Sequence, residues 1–509
     1  MGELWKARGP CPGLGAALSA FGLEQGHFVG RAIAEIAGDN VDPWPIVDKA
    51  FAKPESFLPA PLAEKMEKTI AAKWAKLPDE RRALLKLVSR FELTRAQATK
   101  IYVQEERGEA GIDATDKQIL ENPYLLYELT RLGEEPMSVG VVDRGVFPDD
   151  IVRDAHPLPA PSALGAGTDA RRVRALAVSV LEEAATQGST LLPQDDIVLR
   201  IRESSTSPPC RVDGDLLTVA KDVFDDAIVE VAMADNAKAL QLGRLAEMGR
   251  VIRDAIRKRA AGRRLVVKAD WRKLLDDHLK AKGVKATDDL EDDARREKTD
   301  ALKELAESRV SVLIGPAGTG KTTLLSVLCS HPDVADGGVM LLAPTGKARV
   351  RMEQATRELG IKGKTIAQFL SPTRYDGATG RYHLSDKAAE SGAKTVIVDE
   401  CSMLTEEMLA ALLQALKGVD RLLLIGDPRQ LPPIGAGRPF VDIIAQLVPA
   451  DIGGRFPRVG NGYAELTIRR RQVGEVRKDI QLAEWFSGAS MAPGDDAVFD
   501  SVLAKGENP

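Results

Sequence analysis

The chain is sparing with cysteine, with long apolar runs and with surplus charge, and each scarcity removes a class of protein. Its four cysteines, Cys11, Cys210, Cys329 and Cys401, stand far apart and form no Cys-x-x-Cys pair. That argues against a zinc ribbon or a disulfide framework and suits a reducing, cytoplasmic setting. No stretch approaches the ~18 uncharged apolar residues that a membrane span needs, so no membrane partner is expected. The opening "MGELWKARGPCPGLG" has no apolar core of the secretory kind and reads as no export signal. Lys and Arg number 70 against 75 Asp and Glu, a net charge of −5. The chain is therefore no polycation, and a nucleic-acid partner has to be held by local patches. One patch stands out: "IRDAIRKRAAGRRLVVKADWRK", residues 252–273, holds nine Lys or Arg against two Asp. A solvated helix face accounts for it as well as a phosphate-binding one.

What is present is ordinary for a globular protein: 509 residues, 44% hydrophobic and 28% charged, with room for roughly three or four domains of about 100–200 residues. Residues 1–160 read as short helices punctuated by Gly and Pro. In "PCPGLGAALSAFGL" the pair Gly13 and Gly15 precedes apolar residues at helical spacing, as in a helix-hairpin-helix whose glycines approach a DNA phosphate, or as in a plain helix–helix turn. "HPLPAPSALGAGTD" (156–169) reads as a linker. Over 161–280, "RRVRALAVSVLEEAATQG", "STLLP" and "DDIVLRIRES" give helix, short strand and helix, a winged-helix-like unit. From 281 to 455 the pattern changes to "VSVLIG", "GVMLLAP", "KTVIVDE" and "RLLLIGD", continuous apolar runs alternating with helical sequence. Such runs are strands covered on both faces, and the βα alternation predicts an α/β fold with a doubly wound parallel sheet and its ligands at the carboxyl ends of the strands.

"GPAGTGKTT" follows the first of these strands and precedes a helix, the context a P-loop requires. Gly315, Pro316, Ala317, Gly318, Thr319, Gly320, Lys321, Thr322 and Thr323 are the expected phosphate cradle, because glycines free consecutive N–H groups to surround phosphate oxygens at a helix N-terminus. Lys321 is expected at the β- and γ-phosphates of ATP and Thr322 on Mg²⁺. Asp399, closing "TVIVD", supplies the second magnesium contact, and Glu400 orients or deprotonates the attacking water. In "LLLIGDPRQLPPIGAG" the residues Gly426, Asp427 and Pro428 are explained by a surface turn. A third strand end beside the other two brings Gln430 to the γ-phosphate, where its amide senses whether the triphosphate is intact.

"GPAGTGKTT", "LAPTGKARVRM", "TIAQFL", "VIVDECSML", "LLLIGDPRQLPPIGAG" and "LTIRRRQ" occur in the order of superfamily 1 helicase motifs, and the chain resembles the RecD-like DNA helicases. "ILENPYLLYEL" and the 171–193 stretch are similar to the accessory region of the longer members. The resemblance implies a RecA-like ATPase domain and ATP-driven 5′ to 3′ translocation on single-stranded or forked DNA, a motor suited to DNA repair, recombination or defence. By motif matching it implies strand contacts at Pro344, Thr345, Lys347 and Thr365. It also implies a cross-cleft arginine at Arg471, with Arg469 and Arg470 leaving the register open, and a small β-hairpin near 371–385 with Tyr375 and Tyr382 on its arms. An idle surface hairpin explains that segment equally.

Two departures accompany the resemblance. Where the family places an adenine-reading glutamine, this chain has Lys298 or Thr299. Residues 456–509 are expected to begin a second RecA-like domain whose later motifs are absent, so a truncated product or a split arrangement with a partner subunit is expected. Because an arginine finger contributes about 10³–10⁵ in rate, slow hydrolysis and no unwinding by these 509 residues are expected. An ATP-gated nucleic-acid-binding module and an RNA helicase of the same superfamily remain the competing readings.

Overall fold

A computed structural model describes residues 10–38, 41–64, 66, 68–284, 289–316, 318–387 and 392–468. Among these the chain divides into two compact units, with boundaries at Ala184/Ala185, Thr190/Leu191 and Arg244/Leu245.

The first unit is mostly helical. Helix Leu14–Phe21 ends at Gly22 in the left-handed region, and helix Gly26–Ala37 packs back against it. The crossing is close because small residues line it. A Cβ on Gly30 would lie 2.8 Å from the Gly15 Cα, and one on Gly26 would lie 2.4 Å from the Ser19 nitrogen. A Cβ on Gly13 would collide with the Phe91 carbonyl at 2.0 Å, and the Gly13 N–H donates to the Ser89 oxygen (2.8 Å). Gly13 and Gly15 thus allow close backbone approach within the protein.

The segment expected as a linker is packed. Ser162 is buried and donates to the Leu120 carbonyl (2.7 Å), while the Arg171 guanidinium gathers the carbonyls of Glu121, Pro161 and Ala163. Its Pro and Gly content reflects a tight path that side chains strap down. Beyond it come helix Ala170–Thr186, β1 (Leu191–Pro193), helices Gln194–Glu203 and Gly214–Val219, β2 (Ile228–Ala232) and β3 (Lys238–Leu242). The three strands form an antiparallel sheet in the order β1-β3-β2, the element order and pairing of a winged helix.

The second unit is built on β4 (Val310–Ile314), β5 (Val339–Ala343), β6 (Gly363–Thr365), β9 (Thr395–Val398), β10 (Arg421–Gly426), β11 (Arg458–Gly460) and β12 (Tyr463–Glu465). A separate hairpin pairs β7 (Tyr375–Asp376) with β8 (Arg381–Tyr382). The sheet order is β11-β12-β4-β10-β9-β5-β6, parallel except for β11 against β12. This is the α/β, RecA-like arrangement. The central runs are largely apolar because every residue of β4, β9 and β10 is buried, the polar exceptions being Ser311, Thr395 and Arg421. One face is covered by helices Trp271–Ala281, Asp289–Glu307 and Lys321–Ser330, whose Leu275, Leu302, Leu305, Leu324 and Leu328 join Leu313, Leu423 and Ile425 in one cluster. A buried leucine of this kind contributes about 1.5–3 kcal/mol. Through β11 and β12 the sheet extends to Glu465, past the boundary expected at 456, because this hairpin pairs onto β4.

Candidate nucleotide and strand-binding site

The site grows from the order of the strands. β10 lies between β4 and β9 and is parallel to both, with Gly426 beside Ile314 and Leu424 beside Val398. The P-loop, the Asp399–Glu400 pair and the "GDPRQ" turn therefore leave the same edge of the sheet side by side. β5 and β6 continue that edge, with Ala343 paired to Thr365, so Pro344 and Thr345 emerge beside the chain that turns at Thr365. A parallel sheet presents its ligands at this edge.

Gly318 and Gly320 hold φ of 85° and 91°, the left-handed region that only glycine adopts cheaply, and Gly320 caps helix Lys321–Ser330. Gly315 is needed for a second reason: a Cβ there would lie 2.6 Å from the Leu466 carbonyl of the neighbouring strand's extension. Lys321 folds over the loop and donates to the carbonyls of Gly315 (2.5 Å) and Pro316 (3.1 Å). Thr319 is buried and donates to the Pro316 oxygen (3.0 Å), bracing the turn. Thr322 is exposed in the first helical turn with Thr323 beside it. Ala317 lies outside the described residues.

Opposite the loop, burial raises Asp399 above the usual carboxylate range. The Glu400 N–H, donating to its Oδ1 at 2.9 Å, and the charges of Lys321 and Arg351 pull it back. Glu400 is raised by burial and by the neighbouring charge of Asp399, with a smaller push from Asp427, against the attraction of Arg351 and Lys321. Its backbone sits at φ 55°, an uncommon conformation for a non-glycine residue. Three carboxylates thus face one ammonium and one guanidinium. A carboxylate and a hydroxyl are the oxygen donors that Mg²⁺ takes, and Asp399 and Thr322 would hold it. Bound there, the ion would screen the phosphate charge and orient the triphosphate.

Asp427 and Arg351 join the site without a clear signal in the sequence. Asp427 is only 9% exposed, and its Oδ1 accepts the Arg429 N–H (3.1 Å), so the side chain that looks like a turn residue also carries its charge to Glu400. Arg351 pairs with Glu400 (3.4 Å) from helix Gly346–Ala355. The one hint of it is the i,i+4 spacing from Lys347, which puts both cations on one helix face. Gln430 is exposed on the turn, its N–H donating to the Asp427 carbonyl (3.1 Å), and its side chain lines a small cleft with Ser402, Arg438 and Phe440.

Thr345 and Thr365 are both helix N-caps, accepting from the N–H groups of Ala348 (3.3 Å) and Gln368 (3.1 Å); Lys347 is exposed. Two hydroxyls at two adjacent helix N-termini make a surface suited to phosphate. Tyr375 and Tyr382 face each other across the hairpin with ring centroids 4.8 Å apart, and Arg381 ties it to Glu407 (3.4 Å).

Of the two residues at the adenine-reading position, Lys298 faces the loop. It is 1% exposed, with its Cε 3.0 Å from where a Cβ on Gly320 would stand, whereas Thr299 bonds back to the Arg295 carbonyl (2.7 Å). The preceding Glu297, fully buried, accepts the N–H and hydroxyl of Thr467 (2.7 and 2.6 Å) and the N–H of Ile468. It thereby fixes the chain leading into "RRRQ" beside Gly315. Arg471 lies outside the described residues.

Residues 294–452 match the family described as an AAA domain. The chain is 32% identical to the RecBCD enzyme subunit RecD of Mycolicibacterium smegmatis over 29% of its own length and 30% of that protein. To the ATP-dependent RecD2 DNA helicase of Deinococcus radiodurans it is 35% identical, covering 30% of this chain and 20% of that one. It spans well under half of each of these relatives. A solved structure of Bacteroides Pif1 bound to single-stranded DNA overlaps 40% of this chain and 48% of that one at 19% identity, with a TM-score of 0.28. The family match runs from the helix before β4 to beyond β10 and so takes in the loops just described. Over these residues the chain is similar to the P-loop domain of the RecD-type helicases.

Proposed function

We propose that the chain hydrolyses ATP with Mg²⁺ and couples the hydrolysis to movement along single-stranded DNA in the 5′ to 3′ direction, as the resemblance implies. The observation that carries this reading is the single sheet edge shared by the P-loop, Asp399–Glu400, the Asp427–Gln430 turn and the Thr345 and Thr365 caps. Lys321 neutralises phosphate charge as it develops. Glu400, its affinity for a proton increased by burial and by Asp399, accepts the proton of the attacking water. Gln430 follows β10 directly, so a shift of that strand on loss of the γ-phosphate reaches the turn. From there it passes to the caps at the ends of β5 and β6, where the DNA strand lies on Thr345, Lys347 and Thr365. The paired tyrosines of the hairpin offer a stacking surface for a terminal base pair, each stacked base contributing about 1–3 kcal/mol.

The test is phosphate release with and without oligothymidylate. DNA-stimulated hydrolysis that disappears in Lys321→Ala supports the reading. DNA affinity indifferent to both nucleotide and that substitution would instead mark a binding module, and stimulation by a matched RNA oligonucleotide alone would move the substrate to RNA.

A further inference from the structure

The basic stretch 252–273 is not absorbed by the nucleotide edge. Six of its nine cations fall into two groups. Arg259 donates to the Val419 carbonyl (3.0 Å), Arg264 pairs with Glu304 and Glu307, and Arg272 pairs with Asp276 and Asp292. Arg250, just before the stretch, is held by Glu247 and Asp254. Arg257, Lys258 and Arg263 are exposed and have no carboxylate partner among the described residues.

Beside them opens a cavity of about 610 Å³, lined by Ile256, Arg257, Leu447, Pro449, Arg455 and Asn461 among others. It lies at the end of the sheet remote from the P-loop. Asn461 is in the turn before β12, and a Cβ on the following Gly462 would lie 3.0 Å from the carbonyl of Val310, the first residue of β4, whereas the P-loop follows Ile314, the last. Arg455 is half-exposed and, among the described residues, pairs with Asp451, one turn earlier and itself exposed, a surface pair that a phosphate can readily displace. Cations in the last turn of helix Gly243–Ala260 complement its dipole, at about 0.3–1 kcal/mol each. That accounts for Arg257 and Lys258. It does not account for Arg263 and Arg455, which lie outside the helix, nor for an apolar floor between them.

We propose that this groove is a second polynucleotide-binding surface: Arg257 and Arg455 hold phosphate, Lys258 and Arg263 extend the cationic track, and a base rests on Ile256, Leu447 and Pro449. Cations strung over a helix end and the loop beyond suit a partner with repeating charge. The cavity lies within the roughly 300–1,000 Å³ range of pockets for small ligands, room for a nucleotide unit but not for a folded acidic segment. Binding here does not depend on ATP, so it stands or falls apart from the P-loop reading.

The test uses the full chain and a fluorescein-labelled oligothymidylate, titrated by anisotropy over a series of salt concentrations, with a fluorescent ATP analogue as a second probe. For Arg257→Glu combined with Arg455→Glu, affinity is expected to fall about tenfold or more. The slope of log affinity against log salt is expected to flatten by about 1.4, at ~0.7 for each phosphate no longer neutralised. ATP-analogue binding is expected to stay unchanged. An oligonucleotide carrying 4-thiothymidine is expected to crosslink to peptides spanning residues 446–461, in Lys321→Ala as in the parent chain. Unchanged affinity and slope, or crosslinks confined to residues 344–382, would overturn the proposal. So would polyglutamate displacing the oligonucleotide as well as unlabelled oligothymidylate of equal charge does, which would assign the groove to an acidic peptide.

Discussion

Glu400 occupies a left-handed backbone position beside two other carboxylates, a combination that costs about 1–3 kcal/mol in strain alone. Replacing it with glutamine keeps the shape and removes the proton acceptor. The expected outcome for Glu400→Gln is ATP-analogue affinity close to that of the parent and a phosphate-release rate lower by about 10²–10⁴, the usual contribution of a positioned base. Lys298 gives a second prediction. An ammonium offers three donors and no acceptor, so it suits the O6 and N7 of guanine and leaves the amino group of adenine without a partner. Weak discrimination between ATP and GTP is expected in the parent chain. Lys298→Gln should raise the preference for ATP about tenfold, read from competition against a fluorescent analogue; an unchanged ratio would remove Lys298 from base recognition. Lys321 was legible in the sequence because glycine spacing and the strand–helix context constrain it together. Asp427 was not, since an Asp before Pro in a turn looks the same whether or not its charge reaches a neighbouring strand.

The central strands were equally legible, because burial on both faces forces nearly continuous apolar runs. β6, β11 and β12 are three residues each and carry no such signature. The motifs implied that β10 lies beside β4 and β9, but not that it inserts between them, since periodicity reports which face a residue presents and not which strand lies beside it. Helix Glu406–Ala415 holds another feature without a sequence signal. The Glu406 carboxyl is wedged where a Cβ on Gly249 would lie 2.8 Å from Oε1 and one on Gly437 2.9 Å from Oε2. Burial, with a further push from Asp442 and against the attraction of Arg253, raises it to about 7. A carboxyl raised on folding stabilises the protein in its protonated form. Its contribution is complete below about pH 4.5, the ordinary value, and is lost as pH rises through about 7. The difference is at most roughly 3–4 kcal/mol. Urea denaturation of Glu406→Gln between about pH 5 and 8 should therefore show a flatter stability profile than the parent, with the variant relatively better at the alkaline end.

At the scale of the molecule, two units with separate cores are expected to melt in two calorimetric transitions. Saturating Mg-ATP analogue should raise only the transition of the unit that holds the P-loop, by about 2.7 kcal/mol at a hundredfold excess over the dissociation constant. An equal shift of both transitions would mean that the units unfold together. The weak overall charge, −5 over 509 residues, implies that any polyanion must be met locally. It could not say where, because pairing by distant acids such as Glu304 and Asp292 decides which cations stay uncompensated.

Adjacent residues of helix Asp289–Glu307 reach two different places: Glu297 grips the backbone at Thr467 and Ile468, and Lys298 leans on Gly320. A helix resists bending over so short a distance, so these two points behave as arms of one stiff lever. Tension applied to the chain at Thr467 would arrive at the phosphate cradle as a change in how tightly Lys298 presses on it, without passing through the sheet.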